Sequence, residues 1–233
     1  DIAILYKLGI TVIIIHGGGP RIKMELAKLN IESQFIKGLR VTDKKTMDVV
    51  ERALVDFNSE IIEKLKKKKC KASALNVSQN NIFIVEQESK SLGFVGRPKK
   101  ILNEKIQAIL DEQQIPIISP MGKDKEGEKY NINADTAAAA IAKSLKSRRL
   151  LLMTDVAGVY DKNKKLINEI KPAKAKDLIE KKVVEGGMIP KLLNSIDATE
   201  NGVKGVVIID GRKHHSILCE IFSDEGAGTL IRK

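Results

Sequence analysis

The strongest constraint on what this chain can fold into is an apolar, β-branched run that ends in three glycines and a proline, Thr11-Val12-Ile13-Ile14-Ile15-His16-Gly17-Gly18-Gly19-Pro20. An unbroken run of this kind predicts a strand over Thr11–Ile15 buried on both faces, as in a parallel sheet. Glycine has no Cβ, so backbone N–H groups in the turn that follows can come close to an anion. Pro20 stands where a helix can begin, and the N-terminal end of a helix favours negative charge. The run therefore predicts an anion cradle, Gly17–Gly19, at the carboxyl end of a strand.

Strand-like and helix-like segments alternate along almost the whole length. Helical patterns are expected over Ile2–Leu8, Arg21–Leu29, Lys44–Lys66, Asn103–Gln113, Asn133–Leu145, Lys174–Lys181 and Lys191–Asn201, with one more before a short tail. Thr42 or Asp43 can cap the helix from Lys44. The runs Ile115–Ser119, Leu150–Thr154 and Gly205–Ile209 read as strands. Ala74–Val77 and Ile82–Val85 straddle Gln79-Asn80-Asn81 and read as a hairpin. Gly38–Asp43 reads as a polar connection, and a Gly/Lys/Glu-rich loop is expected after Ser119.

This alternation predicts an α/β fold, a three-layer αβα sandwich around a mainly parallel central sheet. Two lobes are expected, 1–145 and 146–233. The first helical segment leads straight into the glycine-bearing strand, where an α/β unit would have a crossover arriving from an earlier parallel strand. The expectation is that the natural chain begins upstream of Asp1.

Charge and composition narrow the function classes. The net charge is +11, with the densest basic stretch at Lys64–Lys71. That stretch ends an amphipathic segment, where cations complement a helix C-terminus. Aromatic residues make up 3% of the chain and Trp is absent, which removes the stacking platform of single-strand binders. No helix-turn-helix, zinc-finger or RNP pattern is present, so nucleic acid is not an expected partner and small polyanions are. No run approaches the roughly 20 apolar residues that span a bilayer, and no membrane partner is expected. Cys70 and Cys219 match no metal-ligand spacing and read as reduced thiols, and no protein-held metal is expected.

Common catalytic motifs are missing: no P-loop, no dinucleotide fingerprint, no Gly-x-Ser-x-Gly, no His-Glu-x-x-His and no protein kinase signature. What remains is a series of polar residues at strand ends and helix starts, where open α/β sheets hold ligands. Arg40 offers a fork suited to a carboxylate. Asn131 and Asn133 can cap the next helix or bind a ligand, and Asp135 in its first turn can serve either the dipole or a site. Asp155–Tyr160 joins a strand end to a tight turn. Lys191 lies in the first turn of a helix, where a cation is locally unfavourable and calls for an anionic partner.

In their order and spacing, His16–Pro20, Gly38–Thr42, Leu92–Gly96, Tyr130–Thr136, Leu152–Tyr160 and Gly186–Lys191 resemble the acetylglutamate kinases of the amino acid kinase family. The likeness runs from Asp1 to Ile231. It implies the amino acid kinase fold, with an acetylglutamate-binding and dimerisation lobe followed by an ATP-binding lobe. It implies transfer of the ATP γ-phosphoryl group to the side-chain carboxylate of N-acetyl-L-glutamate, a step of arginine biosynthesis.

Residue by residue, Gly17, Gly18 and Gly19 would hold substrate or phosphoryl through N–H donors. Arg40 would pair with the α-carboxylate, and Asn131 and Asn133 would fix polar groups. Asp135 would orient the catalytic Lys191. Asp155, Val156, Ala157, Gly158, Val159 and Tyr160, with Val183, Val184 and Glu185, would line the nucleotide site. Mg²⁺ would be held mainly by ATP oxygens. His16 is expected to support the glycine turn rather than move a proton.

The tail from His214 to Leu230 resembles the arginine-inhibited branch, which implies arginine as feedback inhibitor at Glu220 and Gly228, a homodimer or hexamer, and a PII-type regulator. A bacterial cytosol or plastid stroma is the implied setting. Two departures stand out. The family's Lys-x-Gly-Gly first strand would lie before Asp1, and the segment Asn76–Asn81 lacks the glycine and acid usual there. Other readings are a family member acting on another acid or phosphate, and an effector-binding subunit of impaired activity.

Overall fold

The computed structural model describes residues 1–233, which divide into two compact units: Ile2–Ala137, and Ala138–Lys233 together with Asp1. The first unit holds α1 (Ile2–Lys7), β1 (Ile14–Ile15), α2 (Gly19–Lys28), β2 (Phe35–Ile36), β3 (Leu39–Arg40), α3 (Lys44–Lys67) and β4 (Ala72–Leu75). It continues with β5 (Phe83–Gln87), β6 (Gly96–Ile101), α4 (Asn103–Asp111), β7 (Ile115–Ile118), β8 (Met121–Lys123) and β9 (Lys129–Asn131). The unit boundary falls inside α5 (Ala134–Ser144).

The central sheet of this unit is parallel, in the order β1-β7-β4. All four residues of β7 are buried, as an apolar strand flanked on both sides must be. α3 forms because Met47, Val50, Leu54 and Leu65 fall at helical spacing and are buried together. Asp43 caps it, its Oδ1 accepting from Thr46 N at 2.7 Å, and this bond holds the Asp43 carboxyl below its usual range. Lys64, Lys66 and Lys67 close its last turn. Leu26 of α2 packs in the same cluster as Leu54; both are almost fully buried, and each such leucine contributes roughly 1.5–3 kcal/mol.

The second unit contains β10 (Leu150–Thr154), β11 (Glu169–Ile170), α6 (Pro172–Glu180), α7 (Met188–Glu200), β12 (Val206–Asp210), α8 (Ser216–Phe222) and β13 (Gly228–Ile231). Its sheet runs β10-β12-β13-β11, with β10 parallel to β12, β11 parallel to β13, and β12 antiparallel to β13. β12 is buried throughout. No helix in either unit is long and apolar enough to cross a membrane.

Several local expectations need correction. The strand expected over Thr11–Ile15 shrinks to Ile14–Ile15, and both residues are half-buried rather than buried on both faces. β1 lies at a sheet edge and pairs with β7 alone. In that register Ile13 would stand opposite Pro116, which has no N–H to extend the ladder. The predicted Ala74–Val85 hairpin does not exist. β4 pairs with β7 and β5 with β6 and β8, because Asn76 Oδ1 accepts from the Ser78 and Gln79 amides and turns the chain between two sheets.

Conversely, the segment Gly38–Asp43, expected as a polar connection, contributes its first residues to a hairpin, β2 against β3. Lys37 and Gly38 at its tip both have left-handed φ, +49° and +80°, the requirement of a two-residue hairpin turn. The Gly/Lys/Glu-rich loop is also a hairpin, β8 against β9. The short tail supplies β13, a strand inside the sheet.

Candidate active site

In the first unit the glycine turn sits between β1 and α2, with Gly18 as N-cap and Pro20 in the first turn. Gly18 is packed so closely that a Cβ would meet Leu54 at 2.7 Å. A Cβ on Gly17 would lie 3.5 Å from Ala134 Cβ, so the turn adjoins the start of α5. Around Gly19 that space is open. The cradle is thus held from below and accessible at Gly19.

Arg40 reaches this turn. Its Nη2 donates to Gly19 O at 3.3 Å, its Nη1 donates to Ser33 Oγ, and its guanidinium stacks 4.8 Å from the Phe35 ring centroid. Partial burial draws the Arg40 pKa down from its ordinary value. Thr42 Oγ1 donates to Arg40 O at 2.9 Å and lies 3.4 Å from Asn131 Nδ2. Asn133 caps α5, its Oδ1 accepting from Thr136 N at 3.0 Å, and Asp135 lies half-buried in the first turn. The structure therefore brings Gly17–Gly19, Arg40 and Asn131 into one linked set, beside the helix start that carries Asn133 and Asp135.

His16 precedes the cradle and is 6% exposed. Burial pushes its pKa down, against a raising contribution from its bond to Gly17 O and helped by nearby Arg21. A neutral, buried histidine is suited to holding structure. Arg21 itself pairs with Glu60 at 2.7 Å and stacks 4.8 Å from the Phe57 ring centroid. Glu51 ties the β8–β9 hairpin to α3: burial opposes its ionisation, but bonds from Lys129 and Ser78 hold its carboxyl below the usual range.

In the second unit the candidates lie on an exposed turn and a helix start. Asp155, Val156 and Tyr160 are exposed after β10, while Gly158 and Val159 are buried beneath them. Val159 N donates to Thr229 Oγ1 at 2.8 Å, and that hydroxyl donates to Ile167 O at 2.6 Å. Gly158 has φ +156°, and a Cβ there would meet the Thr229 hydroxyl at 2.5 Å, so no other residue fits. Val183 and Glu185 flank the buried Val184 in the turn before α7. Gly186 and Gly187 have open space at the α7 N-terminus, and Lys191 is half-buried in the first turn.

Glu220 Oε2 accepts from Ala227 N at 3.0 Å, which brings Glu220 to the turn preceding Gly228; Gly228 itself pairs with Ile209. The pair Asp210 and Arg212 escaped sequence reasoning. Arg212 forks onto Asp210 at 2.9 Å and 3.0 Å, holding that carboxyl at about 2, and feels the charge of Asp155. Asp210 ends β12 opposite Thr154 of β10. The strand-end rule that selected Asp155 selects Asp210 and Arg212 equally well.

The sequence profile described as the amino acid kinase family matches residues 1–210. The chain belongs to this family. Among curated relatives, the acetylglutamate kinase of Pelagibacter ubique is 53% identical over 233 residues, covering 100% of this chain and 81% of that protein. The acetylglutamate kinase of Ruegeria pomeroyi is 41% identical, with 100% and 82% covered. Among solved structures, that of smu.665 from Streptococcus mutans superposes with a TM-score of 0.88 at 31% identity, covering 99% of this chain and 89% of that one. Membership of an amino acid kinase family implies ATP as the phosphoryl donor.

Proposed function

We propose that this family member transfers the γ-phosphoryl group of ATP to the side-chain carboxylate of N-acetyl-L-glutamate, yielding N-acetyl-L-glutamyl 5-phosphate and ADP. The observation that carries the reading is the linked set of Gly19, Arg40, Thr42 and Asn131, a guanidinium fork next to a glycine cradle. Full-length relatives at 41–53% identity that are acetylglutamate kinases support it.

A carboxylate oxygen attacks the γ-phosphorus, a P–O bond forms, and the bond to the β,γ-bridging oxygen breaks with its electron pair leaving on ADP. No proton moves, because the attacking carboxylate is already ionised near pH 7. The protein's task is therefore to position two anions and stabilise spreading charge. Arg40 holds the α-carboxylate, and Asn131 and Asn133 hold the remaining polar groups. The N–H groups of Gly17–Gly19 and the Lys191 ammonium take the phosphoryl charge, and Asp135 orients Lys191. Asp155–Tyr160 and Val183–Glu185 line the nucleotide site. The open space at Gly186 and Gly187, at the α7 N-terminus, leaves room for a phosphate, and Mg²⁺ would be held mainly by nucleotide oxygens, where it would offset their charge.

The proposal extends to regulation: arginine bound at Glu220 and Gly228, a homodimer or hexamer, and a PII-type regulator. Hydroxylamine trapping of acyl phosphate tests the central claim. N-acetylglutamate with ATP should give the hydroxamate, and aspartate or glutamate should not; equal turnover of all three overturns the assignment.

A further inference from the structure

We propose that Asn58 and His16 form a buried clamp that aims the Gly18 N–H at the transferring group, so that Asn58, remote from any ligand, is a positioning residue. The proposal rests on the reading that this N–H serves the phosphoryl. Asn58 lies on α3, 1% exposed, at a position of the apolar stripe where leucine would pack. Its Nδ2 donates to Ile117 O of β7 at 2.9 Å and lies 3.2 Å from His16 Nε2. Its Oδ1 is buried with no partner. A helix that accepts an orphaned acceptor in its core does so for what the amide's other end accomplishes.

That accomplishment follows from donor and acceptor chemistry. The Asn58 amide nitrogen can only donate, and Ile117 O fixes which way it points, so His16 Nε2 must accept. The ring proton then resides on Nδ1, which lies 3.1 Å from Gly17 O and donates to it. Phe57, one residue before Asn58, meets the same ring edge-to-face at a centroid distance of 5.2 Å. The Gly17–Gly18 peptide is planar and trans, so a carbonyl drawn toward His16 turns the Gly18 N–H the opposite way. α3 and β7 thereby set the direction of a backbone donor that lies on neither.

Three variants and two readouts test the clamp. His16→Gln keeps a group near Nε2 but loses the donor to Gly17 O; His16→Asn keeps that donor. Asn58→Leu preserves packing and frees the ring to change tautomer. Expected are a kcat on the order of 10- to 100-fold lower for His16→Gln and Asn58→Leu, with both KM values little changed, and recovery of most of that loss in His16→Asn. Ring nitrogen resonances should show the Nδ1–H form in the wild type and a mixture in Asn58→Leu, and the Gly18 amide should shift in His16→Gln but not in His16→Asn. Equal losses in His16→Asn and His16→Gln, in step with lost thermal stability, overturn the clamp, as does a wild-type proton on Nε2. Failure of the wild type to form acyl phosphate sinks the functional reading instead, while the Gly18 resonance still decides the clamp.

Discussion

The two units solve the problem of holding an anion differently. In the first, candidate groups are cross-linked to one another: Arg40 touches Gly19 and Ser33, Thr42 bridges Arg40 and Asn131, and a hairpin carries the fork. In the second, the candidates sit on an exposed turn, held from beneath by Thr229 and by Ile167 N donating to Val159 O, and on a helix start with open space at Gly186 and Gly187. The contrast matches the ligands proposed. A small asymmetric acid needs a rigid fork to fix its orientation, whereas a polyphosphate is satisfied by open backbone N–H groups and one ammonium.

Breaking the second unit's ammonium should have the largest effect. Lys191→Ala is expected to lower kcat about 10²- to 10³-fold, judged by the loss of one charge-stabilising donor, while Lys67→Ala at the end of α3 leaves turnover intact; hydroxamate formation measures both. Next is the fork. Arg40→Lys keeps charge but not geometry, and should raise the KM for N-acetylglutamate about 10- to 100-fold with the KM for ATP unmoved. If both KM values rose together, the division of labour between the units would fail.

Third, Thr229→Val strands the Val159 N–H in a buried site and should cost about 1–3 kcal/mol of stability while raising the KM for ATP alone. Smaller again, Asp43→Ala removes the α3 cap and should cost about 1 kcal/mol in denaturant titrations. The least is a slope. Folded His16 binds its proton less readily than the unfolded chain, so stability present above about pH 6.5 should drain as pH falls through that value, and His16→Asn should flatten the fall.

Much of this was legible in the sequence where a single physical rule governed. A cap for α3 at Thr42 or Asp43, which Asp43 supplies, and the strand Leu150–Thr154 followed from local chemistry and period. The misses occurred where a remote residue decided the outcome. Pro116, far along the chain, shortens β1, and no local property of Thr11–Ile13 announces it. Asn76 satisfies two amides of its own loop and so dissolves the hairpin expected around it. The Lys37-Gly38 turn carries Lys where Asn or Asp is the stronger signal, and the hairpin bearing Arg40 went unread. Within the site, the fork's contact with Gly19 is a tertiary fact, but Asn58 on an otherwise apolar stripe was a visible anomaly.

The placement of β13 carries a consequence for biogenesis. β11 finds its partner only in β13, and the turn bearing Gly158 leans on a hydroxyl from that same strand. A nascent chain could therefore assemble β10 against β12 yet leave Glu169–Ile170 unpaired and the Gly158 turn slack until Gly228–Ile231 had been synthesised. Loss of Gly228–Ile231 would then unpair β11 and slacken the Gly158 turn together.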